Sequence, residues 1–133
     1  MEAVTNYESI MKSADGSIFV RNELQWELQA EKLMLAQKWC IEHSNFSAKP
    51  IMLQSQILES MVNPKNGMPE RVELTEISTA VMHGADCFIL SHETSISKFG
   101  AEAVTYLAKG IAEAESIYDH EQMYANVREE VKR

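Results

Sequence analysis

Apolar positions along the chain fall into two rhythms. Three short runs are continuous: SIFV at 17–20, KPIML at 49–53 and ADCFIL at 85–90. Each is too short to make a helix, and each follows a breaker: Asp15-Gly16, Ala48-Lys49-Pro50 and His83-Gly84. None alternates cleanly with polar residues, which predicts strands buried on both faces. Between the runs the apolar spacing changes to three and four. Residues 30–45 carry Leu33, Ala36 and Cys40 with Leu35 and Trp39; residues 70–83 carry Leu74, Ile77 and Val81. Residues 101–118 carry Val104, Leu107, Ala108, Ile111, Ala112 and Tyr118, a broad helical stripe. An opening helix over about 2–13 places Val4, Tyr7, Ile10 and Met11 on one face. The last helix is expected to run on into a charged tail at 119–133.

The predicted order is αβαβαβα. Alternation at this spacing implies an α/β fold with parallel strands and right-handed helical crossovers. Two architectures satisfy it, an open doubly wound sheet and a segment of a (β/α)8 barrel, and periodicity does not choose between them. Three strands leave two bare edges, which invite pairing. With a helix first and no strand before it, the pattern is that of a section through a larger fold.

Composition narrows the function classes. A chain of 133 residues holds one domain at most, and 45% apolar with 24% charged residues is ordinary for a folded soluble protein. A net charge of −8 argues against nucleic acid, whose phosphates require a basic face. No basic-then-apolar leader opens the chain, and no apolar run approaches about 18 residues, so a cytoplasmic location without membrane contact is expected. Cys40 and Cys87 lie in apolar surroundings, far apart, and are expected to be free buried thiols. No Cys-x-x-Cys pair or Cys/His cluster suggests zinc. His43, His83 and His120 read as surface or helix-end residues.

Four longer stretches carry a resemblance. AEKLMLAQKWCIEHSNFSAKPIMLQSQILESM at 30–61 is similar to the part of pyruvate kinases that reads AEK-hydrophobic-LAQK, GKP and TQMLESM. HGADCFILSHET resembles DGADC-hydrophobic-LSGET, PERVELTEISTAV resembles PTRAE followed by SDVANAV, and SADGSIFVRNEL aligns without a gap on SDG-hydrophobic-ARGDL. The motifs occur in family order from about Glu2 to Tyr118. The resemblance implies a partial TIM barrel: the fifth helix and then about the last three βα units, with parallel strands. Chemistry in such barrels sits at the carboxyl ends of the strands. Arg21, Asn22 and Glu23 after the first strand, Ser55 after the second, and Ser91, His92 and Glu93 after the third should therefore share one rim.

The resemblance also implies a reaction. Pyruvate kinases transfer the phosphoryl group of phosphoenolpyruvate to ADP, giving pyruvate and ATP in glycolysis, and protonate the enolate. Such transfer rests on positioning and charge neutralisation. It requires Mg²⁺ held by an acidic pair, and the complete enzymes also use potassium. Glu23 occupies the position of one metal carboxylate, with an arm one methylene longer that shifts its oxygens by about 1.5 Å; the bland alternative is a solvated carboxylate at a helix start. Asn22 replaces the glycine where substrate approaches, and Gln25 replaces the next one. Arg21 keeps the motif's arginine, as a catalytic group or as a rim salt bridge. Ser55 keeps the hydroxyl of the family threonine near the carbon that gains a proton, or simply bonds local backbone. His92 in place of glycine signals relaxed constraint more than catalysis. Gln56, Glu59 and Ser60 shape the loop.

The family's Lys-x-Glu element, its potassium ligands, its lid and its carboxyl-terminal domain are not found in these 133 residues. Two expectations follow. One is a fragment or divergent copy of a pyruvate kinase, inactive alone. The other is a non-catalytic pseudoenzyme serving a structural or binding role in an assembly. A third reading, an unrelated barrel lyase, is opposed by the density of matched motifs. Either of the first two needs a protein partner, self-association or adjoining sequence to cover the sheet edges.

Overall fold

The structure is a computed structural model that describes residues 2–63 and 65–130. It opens with two short helices, α1 (Glu2–Thr5) and α2 (Tyr7–Ser13), then β1 (Ser17–Val20) and a one-turn α3 (Arg21–Leu24). The long α4 (Ala30–Phe46) leads to β2 (Ile51–Gln54) and a 3-10 turn at Glu59–Val62. There follow α5 (Arg71–Met82), β3 (Cys87–Ile89), α6 (His92–Ile96), α7 (Gly100–Glu115) and α8 (His120–Glu130). The strands form one open sheet in the order β1-β2-β3, parallel throughout.

Most expected elements are present, with corrections that have physical causes. The opening helix bends at Asn6, whose ψ of 14° leaves the helical range, although the ladder continues from Asn6 N to Glu2 O and from Ile10 N to Asn6 O. The 101–118 stripe ends at Glu115, where Ser116 Oγ bonds back to Glu113 O at 2.6 Å and competes with the ladder. The charged tail is therefore a separate helix, entered through Asp119, whose Oδ1 accepts from Gln122 N. Residues 131–133 lie outside the described residues.

Burial on both faces is not met: even in the central strand Ile51 and Leu53 are buried while Met52 and Gln54 are only half-buried. Register sets Phe19, Leu53 and Phe88 side by side on one face, where Phe19 and Leu53 are buried in the core beneath the helices. The adjacent row, Ile18, Met52 and Cys87, points the other way, and there Ile18 is 52% exposed. Helices cover one face only, so the outer strands are open on the other. Cys87 is thus exposed and only Cys40 is a buried thiol, contrary to the expectation for both. Leu35, Val104 and Ile10 are exposed rather than core, and so are Ala108 and Ala112. Their helices bury narrower stripes than the sequence pattern suggests.

Polar ties lock the crossovers. Tyr7 Oη bonds Ser17 Oγ and Ser44 Oγ, each at 2.6 Å, joining α2, β1 and α4 inside the core. Lys49 Nζ reaches the carbonyls of Met11 and Ala14 at the end of α2. Asp86 Oδ2 accepts from Ile51 N at 2.9 Å and terminates the β2–β3 pairing at its amino end. Glu73 and Glu70 form a capping box on α5, and Glu73 also accepts from Ser60 N and Ser60 Oγ, fixing the 3-10 turn against that helix.

Candidate active site

Parallel register decides where the polar residues go. Val20, Gln54 and Ile89 lie side by side as the last paired residues of their strands. The chain leaves all three strands at the same end, so Arg21–Glu23, Ser55 and Ser91–Glu93 share one rim. The opposite rim, where chain enters the strands, holds His83 and His43. Burial, and then the nearby Lys38 charge, lower the His83 pKa below its ordinary value, and its buried Nδ1 has no hydrogen-bond partner. His43 lies at a helix end, in the last turn of α4, where it is half-buried with its ring tilted against that of Trp39 and its Nδ1 2.9 Å from Trp39 O. A cleft of about 740 Å³ at that end, lined by Asn45, Gly84, Asp86 and Tyr118 among others, is remote from the candidate residues.

Arg21 is 4% exposed. Its Nε and Nη2 donate to Ser55 O at 3.0 and 2.6 Å, Nη2 also to Gln56 O at 3.0 Å, and Nη1 to the Glu76 carboxylate. The crevice beside it, lined by Leu53, Ile57, Glu76 and Phe88 among others, has about 10 Å³ of free space, barely one water. Ser55 is buried at the end of β2 with φ +79°, and Gln56 and Leu58 also have positive φ, +57° and +54°. Glu76 on α5 is the residue that sequence reasoning missed. A buried arginine requires an acid, but α5 offers Glu73 and Glu76 one turn apart, and only packing shows that Glu73 caps the helix.

Asn22 and Glu23 are exposed on α3. Glu23 opens onto a groove of about 720 Å³ beside the free edge of β1, shared with Glu2, Tyr7, Ile18, Val20 and Leu24. Ser55 and Arg21 do not line it. Neither Asn22 nor Gln25 has positive φ, and Gln25 rests at φ −64°, ψ −19°. Loss of the two glycines therefore imposes no backbone strain here; what changes is the space their side chains fill. Ser91 caps α6 by accepting from Thr94 N, and His92 and Glu93 are exposed in its first turn.

Among the described residues no group of three or more His, Cys, Asp and Glu side chains comes together to hold a metal ion. Glu23 shares its groove with Glu2 and Glu27, but these side chains form no such group, so the residues present do not make a complete Mg²⁺ site. Likewise, no helix among the described residues is long and apolar enough to cross a membrane.

Comparison with known proteins gives a consistent result. The family model described as "Pyruvate kinase, barrel domain" matches residues 1–104. The pyruvate kinase of Eimeria tenella is 38% identical over 124 residues, covering 93% of this chain and 23% of that protein. That of Dictyostelium discoideum is 37% identical over 131 residues, covering 96% and 25%. A crystal structure of a pyruvate kinase from Cryptosporidium parvum superposes with a TM-score of 0.89 at 35% identity, covering 96% of this chain and 26% of that one. The chain thus spans about a quarter of the length of the relatives it matches.

Proposed function

The chain belongs to the pyruvate kinase family, and from that premise we propose that it supplies one arc of a catalytic barrel that transfers the phosphoryl group of phosphoenolpyruvate to ADP. The observation that carries this reading is the terminal row Val20, Gln54 and Ile89, which brings the three motif-bearing loops to one rim. In it the Ser55 hydroxyl relays a proton toward the enolate carbon, and Asn22 and Glu23 border the substrate. Glu23 would be this chain's contribution to holding a Mg²⁺ ion in a complete enzyme, where the ion would supply charge neutralisation; this chain alone does not complete the site. Arg21 serves from beneath the rim, because its guanidinium is already engaged by two carbonyls and a carboxylate.

The 133-residue chain by itself has no phosphotransferase activity in this reading. A non-catalytic role within an assembly is the second reading, favoured by the exposed Glu23 and the filled Arg21 crevice. A partner chain, self-association or adjoining sequence covers the open sheet, in a cytosolic setting without nucleic acid or membrane.

A chimera tests the choice. Residues 1–118 replace the matching segment of the Dictyostelium relative, and pyruvate formation from phosphoenolpyruvate and ADP is measured with Mg²⁺. Activity that drops by about 10²-fold or more in Ser55→Ala supports the catalytic arc. A folded chimera with no activity supports the non-catalytic reading. Magnesium-dependent turnover by the isolated chain would overturn the claim that it is inactive alone.

A further inference from the structure

The turn after β2 has an unusual backbone for its sequence. Ser55, Gln56 and Leu58 all adopt positive φ, and none of residues 55–58 is glycine. Each such residue sets Cβ against a carbonyl oxygen, so the conformation persists only where surroundings over-determine it. Buried Ile57 and Leu58 anchor the far side of the turn. On the near side, the carbonyls of Ser55 and Gln56 are turned toward the Arg21 guanidinium, which itself lines a crevice with barely space for one water. The buried carbonyl of Ser55 requires donors, and Arg21 provides them, with Gln56 O as a further, part-buried acceptor.

We propose that Arg21, charge-balanced by Glu76, is the positioning residue that holds the 55–58 turn in its left-handed form and thereby sets where the Ser55 hydroxyl stands. A guanidinium is suited to this because its N–H groups diverge in a rigid plane: one edge meets Ser55 O twice, Nη2 adds Gln56 O, and Nη1 reaches Glu76. A lysine ammonium has three donors on one atom and does not span these acceptors. The pair is also uneven. The Arg21 side chain is enclosed, while the Glu76 side chain is close to half exposed, so the carboxylate neutralises a charge that water does not reach. The clamp joins two consecutive crossovers, since Arg21 begins the one from β1 to β2, while Ser55 and Glu76 both lie in the one from β2 to β3. The catalytic meaning of Ser55 rests on the reading above; the hold on the turn does not, and it is measured directly.

The test is residue-resolved NMR on the full chain. In the wild type, ¹³Cα and ¹³Cβ shifts of Ser55, Gln56 and Leu58 should report positive φ. In Arg21→Lys and Arg21→Met, the Ser55 and Gln56 shifts should leave those values. Amide exchange at 55–58 should rise on the order of tenfold or more, while Ile51–Leu53 amides keep their protection. Glu76→Gln should keep the turn, because a carboxamide oxygen still accepts from Nη1. If Arg21→Met does not fold, Arg21→Lys, which retains charge and most of the packing, is decisive. Left-handed shifts and unchanged exchange in Arg21→Lys would overturn the proposal. So would a loss of β2 protection equal to that of the turn, because Arg21 would then act only as a general support.

Discussion

Asn45 Nδ2 donates to the carbonyl of Gly84 at 3.0 Å, and a Cβ at position 84 would sit 2.4 Å from that same nitrogen. The end of α4 and the turn entering β3 are thus in direct contact. Gly84 also has φ +93°, a conformation that side chains rarely adopt.

Gly84→Ala is therefore expected to destabilise the chain by about 1–3 kcal/mol, combining backbone strain with the clash. Urea unfolding should show a lower midpoint at an unchanged m-value. In the double variant Asn45→Ala/Gly84→Ala the 2.4 Å clash disappears, while the strain and the 3.1 Å approach to Tyr118 Oη remain. The two changes should then be less damaging together than the sum of each alone. Strict additivity would mean that Asn45 simply moves aside.

The legible part of this fold was the part written in local pattern. SIFV predicts β1 at its observed limits, because a four-residue apolar run after Asp-Gly has few other options. The second strand begins at Ile51 rather than 49, because Lys49 N is still bonded to Ser44 O and Pro50 has no N–H to give to a ladder. The third shrinks to 87–89, because Ala85 N bonds Ala80 O and Asp86 is occupied with Ile51 N. These are polar backbone commitments, local at Lys49 and Ala85 and long-range at Asp86, and hydrophobic spacing does not encode them. At the site, the shared rim followed from parallel order alone. The left-handed turn at 55–58 carries no glycine or Asn-Gly signal, so nothing in its composition announced it. The identity of Arg21's partner required knowing which acid on α5 was already spent.

The two thiols should separate by environment. Cys40 is 1% exposed, and burial pushes its pKa up to about 12, whereas Cys87 is exposed on β3. Thiolate is the reactive form. At about pH 8 the native chain should therefore give one fast-reacting thiol with a maleimide, and the second only after unfolding. Cys87→Ser should abolish the fast phase. Linkage fixes the sign of the alkaline response. The folded state favours the protonated thiol, so this contribution to stability is complete below the unfolded pKa of 9.0 and is lost as pH rises from there toward 12. Tyr7, raised above 10.0 by burial, has the same sign. Urea midpoints should fall above about pH 9, and less steeply in Cys40→Ala. Equal reaction rates for both thiols in the native chain would contradict this account.

The one-sided sheet gives a prediction about association. Phe19 and Leu53 are in the core beneath helices, whereas their neighbours Ile18 and Met52 lie on the face that no helix covers. An apolar face bounded by a bare β1 edge is an unstable surface to leave in water, at about 25 cal/mol for each Å² of apolar area. The wild-type chain should therefore show sedimentation that shifts with concentration. Ile18→Lys places a charge at the most exposed apolar position of that face. It should move the distribution toward monomer while changing unfolding stability by no more than about 0.5 kcal/mol, because the isoleucine is already half in solvent. Phe19→Lys, one residue on, should instead unfold the chain, since that side chain is buried in the core. The contrast between adjacent positions is the informative result, because it follows from strand alternation together with helices on one side only. A wild-type chain that sediments as a monomer over a hundredfold range of concentration, about 1 to 100 μM, would show that the open face needs no cover.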